Sequence, residues 1–246
     1  QGLRTGNNTE RLSNKKETEN HRKALAGEDI HRYGYQWNNT YVLYDRELLS
    51  KDTAARPREK KYWEADEKIV VQEIRNVHLS ERIVAAIDRE GYISLNTTNA
   101  IISKPESHYS LSYVMSILNS RLMNELFKCC FVDNHIATQY LESLPMYTPA
   151  ISQTEALSEK EKEKLINRMH TERIEAVFSD TDYPYDRVAY DILSKLSERV
   201  TNTQAERDGI NTHLPDYLGS YDDGSTLKDL SPMPPSGLAD SVLTKG

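Results

Sequence analysis

The chain has 246 residues, of which 37% are hydrophobic and 28% charged, with a formal net charge of −7. That is enough chain for one large domain or one domain with appendages. No apolar run approaches the roughly eighteen residues of a membrane-spanning helix, and Gln1-Gly2-Leu3-Arg4 holds no apolar signal region, so a soluble, cytoplasmic protein with no membrane partner is expected. The two cysteines, Cys129 and Cys130, are adjacent, which excludes a C-x-x-C metal or redox spacing. The start without Met and the end on Thr244-Lys245-Gly246 read as a fragment of a longer protein.

Charge is unevenly spread. Residues 1–150 hold 20 Lys and Arg against 20 Asp and Glu, whereas residues 151–246 hold 11 against 18, so the net charge belongs to the last third. Locally basic stretches lie in front: Arg4, Arg11, Lys15, Lys16, Arg22 and Lys23, then Arg56, Arg58, Lys60 and Lys61. Such runs are either solvated faces or polyanion contacts.

In chain order, Tyr41–Tyr44, Lys68–Ile74 and Gly91–Leu95 are β-prone runs and read as strands of one sheet. Leu79–Arg89 contains Ile83, Val84, Ala86 and Ile87, a run too short for periodicity to separate strand from helix. Ile101-Ile102 closes a further strand. Leu111, Val114, Met115, Leu118, Leu122, Leu126 and Phe127 recur at spacings of three and four and predict one long core helix from Ser110. Pro145 ends the pattern that follows it. Glu155–Phe178 reads as an amphipathic helix with Glu159–Lys164 outward, and Val188, Ala189, Ile192, Leu193, Leu196 and Val200 mark its hairpin partner. From Thr201 onward, Asn, Asp, Gly, Ser and Pro, including Ser231–Ser236, predict irregular chain. The fold class is therefore α+β: a mixed-sheet domain over 1–150 with a long core helix, a helical extension over 151–202 and an irregular acidic tail over 203–246.

Common catalytic signatures are missing. There is no G-x-x-x-x-G-K-[ST] phosphate loop, no G-x-G-x-x-G turn, no H-E-x-x-H helix and no G-x-S-x-G elbow. Asp52, Glu59 and Lys61 could be forced into a Mg²⁺ nuclease site, but any charged sequence yields such triples by chance. The seven histidines are scattered without ligand spacing, so no metal site and no catalytic residue is expected. What remains are polar loop residues of the kind that pair with base edges or grip phosphates. Asn96–Asn99 fits that chemistry or a tight turn capped by its own side chains.

The order of several segments carries a resemblance. Gly2-Leu-Arg-Thr-Gly-Asn-Asn8 resembles a G-x-x-T-G-x-N entry, Leu25–Tyr33 an l-x-G-x-D-I-x-R-Y segment, and Glu67–Arg75 a P-K-I-x-x-x-x-I-x strand. Ala85–Asn96 is similar to a-x-D-x-x-G-x-x-x-x-N, Ile117–Leu122 to L-N-S-x-L and Tyr140–Pro145 to l-x-x-L-P. Together, over about residues 1–147, they resemble the TaqI-like C-terminal specificity domain, the target-recognition module of adenine-specific DNA methyltransferases in type II and IIG restriction-modification systems. Glu67 stands where that family often has proline.

The resemblance implies double-stranded DNA as partner, together with an upstream methyltransferase domain of the same chain, not contained here, that binds S-adenosylmethionine. It also implies a parent that is a site-specific adenine methyltransferase, with or without a nuclease. The methyltransferase's [DNS]-P-P-[YF] motif is matched neither by Tyr183–Asp186 nor by Ser231–Ser236, so this fragment is expected to bind no cofactor and to be no enzyme by itself. Candidate DNA contacts, chosen by chemistry at loop positions, are Arg4, Thr5, Asn7 and Asn8 in the entry loop, Lys60 and Lys61 in the basic loop, and Arg75, Asn76 and His78 after the long strand. The competing reading is a protein-interaction or scaffolding module of a DNA-modifying or phage-defence complex.

Overall fold

The computed structural model describes residues 1–151 and 155–217, with side chains through residue 209. Its elements are α1 (Asn8–Arg11), β1 (Leu12–Ser13), β2 (His21–Leu25), a 3-10 turn (Gly27–Asp29), β3 (Ile30–His31), β4 (Gly34–Tyr35), β5 (Tyr41–Leu43) and α2 (Arg46–Lys51). A second 3-10 turn (Lys60–Tyr62) leads to β6 (Lys68–Gln72), β7 (Ala85–Asp88), β8 (Ile93–Ser94) and β9 (Thr98–Ile101). The helices α3 (Leu111–Leu118), α4 (Arg121–Cys130), α5 (Thr138–Glu142), α6 (Glu159–Arg168), α7 (Ile174–Ser179) and α8 (Tyr185–Tyr217) follow.

The α+β class holds, and one sheet is mixed: β1-β5-β2-β8, with β2 parallel to β8. The three β-prone runs do not share it, however. Tyr41–Leu43 and Ile93–Ser94 lie in that sheet, while β6 is the centre of an antiparallel sheet β7-β6-β9. Periodicity within a strand carries no information about its partners, which long-range pairing selects.

The ambiguous run before Arg89 becomes β7 because Ala85, Ala86 and Ile87 pair in register with Val71, Val70 and Ile69. Residues Lys68 to Val71 of β6 are all buried because both faces of this sheet are covered. Ile69, Val71, Ala85 and Ile87 join Leu111, Met115 and Phe127 in one core cluster. Val70, Val84 and Ala86 face the opposite way, onto Leu25, Ile30 and Tyr92.

The single long core helix is instead two, α3 and α4, broken at Asn119-Ser120. Ser110 and Ser120 each cap a new helix N-terminus by accepting a backbone N–H, from Tyr113 and Met123. Leu122, on the expected apolar stripe, is 81% exposed as a result. The break places two asparagines against the outer edge of β7. Asn119 accepts from Ala85 N (3.0 Å) and donates to Ala85 O (2.9 Å), and Asn124 accepts from Arg82 N and Ile83 N (2.6 and 2.7 Å). These side chains satisfy buried backbone N–H groups at the start of β7 and just before it.

Asn119→Ala is therefore expected to lower unfolding stability by about 1–3 kcal/mol, the cost of stranding the buried Ala85 N–H. Urea unfolding at unchanged m-value checks it; the Ala85 carbonyl keeps a second donor, Tyr33 N, at 2.9 Å.

Residues 1–202 form one compact unit, so the expected 1–150 and 151–202 regions pack together. Leu157, Leu165, Ile166, Val177, Val188 and Ile192 close a core among α6, α7 and the first turns of α8. Tyr190 accepts from Ser110 N (2.9 Å), and its ring lies 4.9 Å from that of Tyr113. The expected amphipathic helix over 155–178 is split into α6 and α7 around Met169–Arg173.

Residues 203–246 form a second unit. Its described part, 203–217, is helical rather than irregular, within α8. Ala205, Glu206 and Arg207 are good helix formers, and Gln204 donates to Asp208 one turn on (2.9 Å). The Pro-rich Ser231–Ser236 stretch lies outside the described residues.

Candidate functional site

The entry segment is held by backbone contacts that leave no room for a side chain at Gly2. Gly2 N donates to Thr98 O (2.8 Å), Leu3 N to Ser94 O (2.7 Å), and Leu3 bridges Leu95 in parallel. A Cβ on Gly2 would lie 2.1 Å from the Leu95 carbonyl oxygen. Arg4 next forms an antiparallel bridge with Arg56: Arg56 N donates to Arg4 O at 2.8 Å and Arg4 N to Arg56 O at 3.4 Å. Gly6 then turns the chain with φ +84°, a left-handed conformation that glycine adopts without strain. Asn7 caps α1 by accepting from Thr9 N (3.1 Å).

Arg11 secures this turn from below. Its buried guanidinium donates to the Thr5 carbonyl and pairs with Asp52 at 2.8 Å. The Ala54 N–H, donating to Asp52 at 2.8 Å, and the Arg11 guanidinium hold the Asp52 carboxyl below the usual range. Asp52 thereby ties the loop Thr53-Ala54 to the entry loop.

Between the two loops opens a cleft of about 460 Å³ lined by Arg4, Thr5, Gly6, Asn7, Asn8, Thr53, Ala54, Arg56 and Asn96. Two arginines and three asparagines face a space whose lining holds no carboxylate. Thr5 is buried and its hydroxyl donates to Asn8 Oδ1. That leaves the Asn8 amide nitrogen without a partner among the described residues. All four residues singled out in the entry loop are thus brought together. Arg56, Thr53 and Asn96 were not singled out. Arg56 opens the basic run Arg56–Lys61 and Asn96 opens the polar run Asn96–Asn99, but neither run shows what it will face.

The other candidates lie elsewhere. Lys60 and Lys61 sit exposed on the second 3-10 turn, paired with Glu64 (3.9 Å) and Glu59 (2.9 Å). The Lys61 ammonium is raised and the Glu59 carboxyl lowered by their mutual hydrogen bond. Lys60 borders a second depression in which Arg22 and Arg46 are matched by Asp45, Glu47 and Glu64. Arg75 is half-buried, donating to Glu81 O (2.9 Å) and to Gln72 Oε1, and burial lowers its guanidinium pKa. Asn76 and His78 are exposed and joined locally, His78 N donating to Asn76 Oδ1 (2.9 Å). Of the Asp52, Glu59 and Lys61 triple only Glu59 and Lys61 meet, at 2.9 Å, while Asp52 pairs with Arg11. Among the described residues no group of His, Cys, Asp or Glu could hold a metal ion, and no helix is long and apolar enough to cross a membrane.

Residues of the short sequence motifs act as scaffold. Lys68 and Asp88, from two different motifs, form an ion pair with both side chains fully buried. Asp29 accepts from Ala26 N (2.7 Å), and burial raises its carboxyl pKa. Arg32 donates to the Asn119 carbonyl (2.8 Å) and pairs with Glu81. Leu144, before Pro145, is in the core.

Residues 22–146 match the family described as the TaqI-like C-terminal specificity domain. Among solved structures the chain is similar to MmeI, a Type IIL restriction-modification enzyme determined in complex with DNA, with 13% identity and a TM-score of 0.42. The likeness covers 82% of this chain and 32% of that one. No curated protein matches the chain.

Proposed function

The chain belongs to the TaqI-like C-terminal specificity domain family, and from that premise we propose that it is the target-recognition module of a restriction-modification adenine methyltransferase, binding double-stranded DNA. The family match over 22–146 carries this reading. The entry cleft supports it, because two arginines without a direct ion pair, beside asparagine amides, suit a polyanion with readable edges. Arg4, Asn7 and Asn8 contact DNA there, with Thr5 holding Asn8 in place. Lys60, Lys61, Asn76 and His78 are further exposed contacts, and Arg75 supports the last two from inside.

In this reading the module selects the site and the chemistry happens elsewhere. Phosphate contacts set register and base contacts choose sequence, while the target adenine is flipped out of the stack. The methyl donor is assigned to a methyltransferase domain that would be this module's partner.

Binding of random-sequence duplexes followed by anisotropy across a salt series, with sequencing of the bound fraction, tests the proposal. The expected result is enrichment of a short motif and affinity that falls as salt rises, by a log–log slope of about −0.9 for each phosphate neutralised. Binding indifferent to salt, or none at low salt, would overturn it for this chain.

A further inference from the structure

We propose that Arg4 and Arg56 clamp a single phosphate group, taken as a backbone phosphodiester of DNA; the inference rests on the DNA-recognition reading above and adds Arg56 and the role of both arginines to it.

The geometry comes first. Residues facing each other across an antiparallel bridge with reciprocal hydrogen bonds have Cα atoms about 5.5 Å apart and project their side chains to the same face. Arg4 and Arg56 are such a pair, both exposed, and like charges in that position repel. Several surface cations have an acidic neighbour within ion-pair distance, among them Lys16 with Glu19, Lys61 with Glu59 and Arg168 with Glu172. Neither Arg4 nor Arg56 forms an ion pair among the described residues; Arg4 acts at longer range on the buried Glu73, and the lining of the cleft beside the pair holds no carboxylate. The depression beside Lys60 has as many arginines, but its three acids balance it.

The lack of a directly paired anion points to the ligand. A base edge is neutral and would leave both guanidiniums without one, whereas a phosphate supplies negative charge and oxygens suited to paired N–H donors. The site is also pre-organised. Gly6, Asp52 and the buried Arg11 hold the Arg4 loop against the loop before Arg56. Arg11 spends its own charge on Asp52, so the anion is left to the exposed pair.

The test compares wild type with Arg4→Gln, Arg56→Gln and the double variant, each first shown to keep the wild-type thermal midpoint, on random duplexes across a salt series. Because both arginines share one phosphate, each single variant and the double variant should reduce the magnitude of the log–log salt slope by about 1. Affinity should fall about tenfold or more, and the enriched motif should stay the same. An unchanged slope, a double-variant loss near 2, or an altered motif would overturn the shared clamp while leaving DNA recognition standing. If wild type binds no duplex, the recognition reading fails by itself. Titration with inorganic phosphate, followed at the arginine Nε–Hε NMR signals, then decides the clamp. Shifts present in wild type and absent in the double variant keep the anion site with free phosphate as its source, and no shifts overturn it.

Discussion

Lys68→Met is expected to lower unfolding stability by about 3–5 kcal/mol, because it removes one partner of a buried ion pair and leaves the other charged. Both side chains, Lys68 on β6 and Asp88 on β7, have no solvent exposure. The Asp88 carboxylate also accepts Glu90 N (2.8 Å) and Tyr92 N (3.0 Å), which shape the turn into β8. A stranded charge at Asp88 would therefore loosen the β7–β8 connection as well as the sheet. Urea unfolding measures the loss as a lower midpoint at unchanged m. The double variant Lys68→Met/Asp88→Asn should recover part of it, since no unpaired charge then remains inside. A loss below about 1 kcal/mol in the single variant would show that the pair is solvated.

The second large effect is expected at Gly2. In Gly2→Ala the new methyl would meet the carbonyl oxygens of Leu95 and Ser94 at 2.1 and 2.4 Å, and neither is a side chain that can rotate away. The entry segment must then leave the sheet. With it go the hydrogen bonds from Gly2 N and Leu3 N and the burial of Leu3, which is fully enclosed. The expected cost is about 2–4 kcal/mol, from one buried leucine and two hydrogen bonds. Hydrogen exchange should lose protection at Leu3 and Arg4, and duplex affinity should fall because Arg4 no longer stands opposite Arg56. Gly209→Ala is the control: nothing lies within 4 Å of the added methyl, and inside a helix alanine is favoured by about 0.5–1 kcal/mol.

How much of this was legible follows from the range of each interaction. The strands over Tyr41–Leu43 and Lys68–Gln72 and the helices after Leu111 were readable because their apolar spacing reports which face is buried. The break at Asn119-Ser120 was not, because Leu122 and Leu126 keep the helical period across it. Ser120 as a cap and Asn119 as a brace for β7 matter only once β7 lies alongside. The strand at Ala85–Asp88 was undecidable locally and was settled by its register with β6. Of the candidate site, the loop Gly2–Asn8 could be read from its glycines and polar residues. Arg75 could not be separated from the exposed candidates, since its engagement with Gln72 and Glu81 depends on how the following loop folds back.

By itself, then, the sequence determined the α+β class, the order of the short motifs and hence the family, and the polar character of the entry loop. These are properties of local spacing and composition. Only the tertiary structure decided that the three β-prone runs divide between two sheets, that Lys68 meets Asp88, and that Arg4 pairs with Arg56 beside a cleft whose lining holds no carboxylate. Each of those depends on which distant backbones hydrogen-bond, and on which charges are left without a partner once they do.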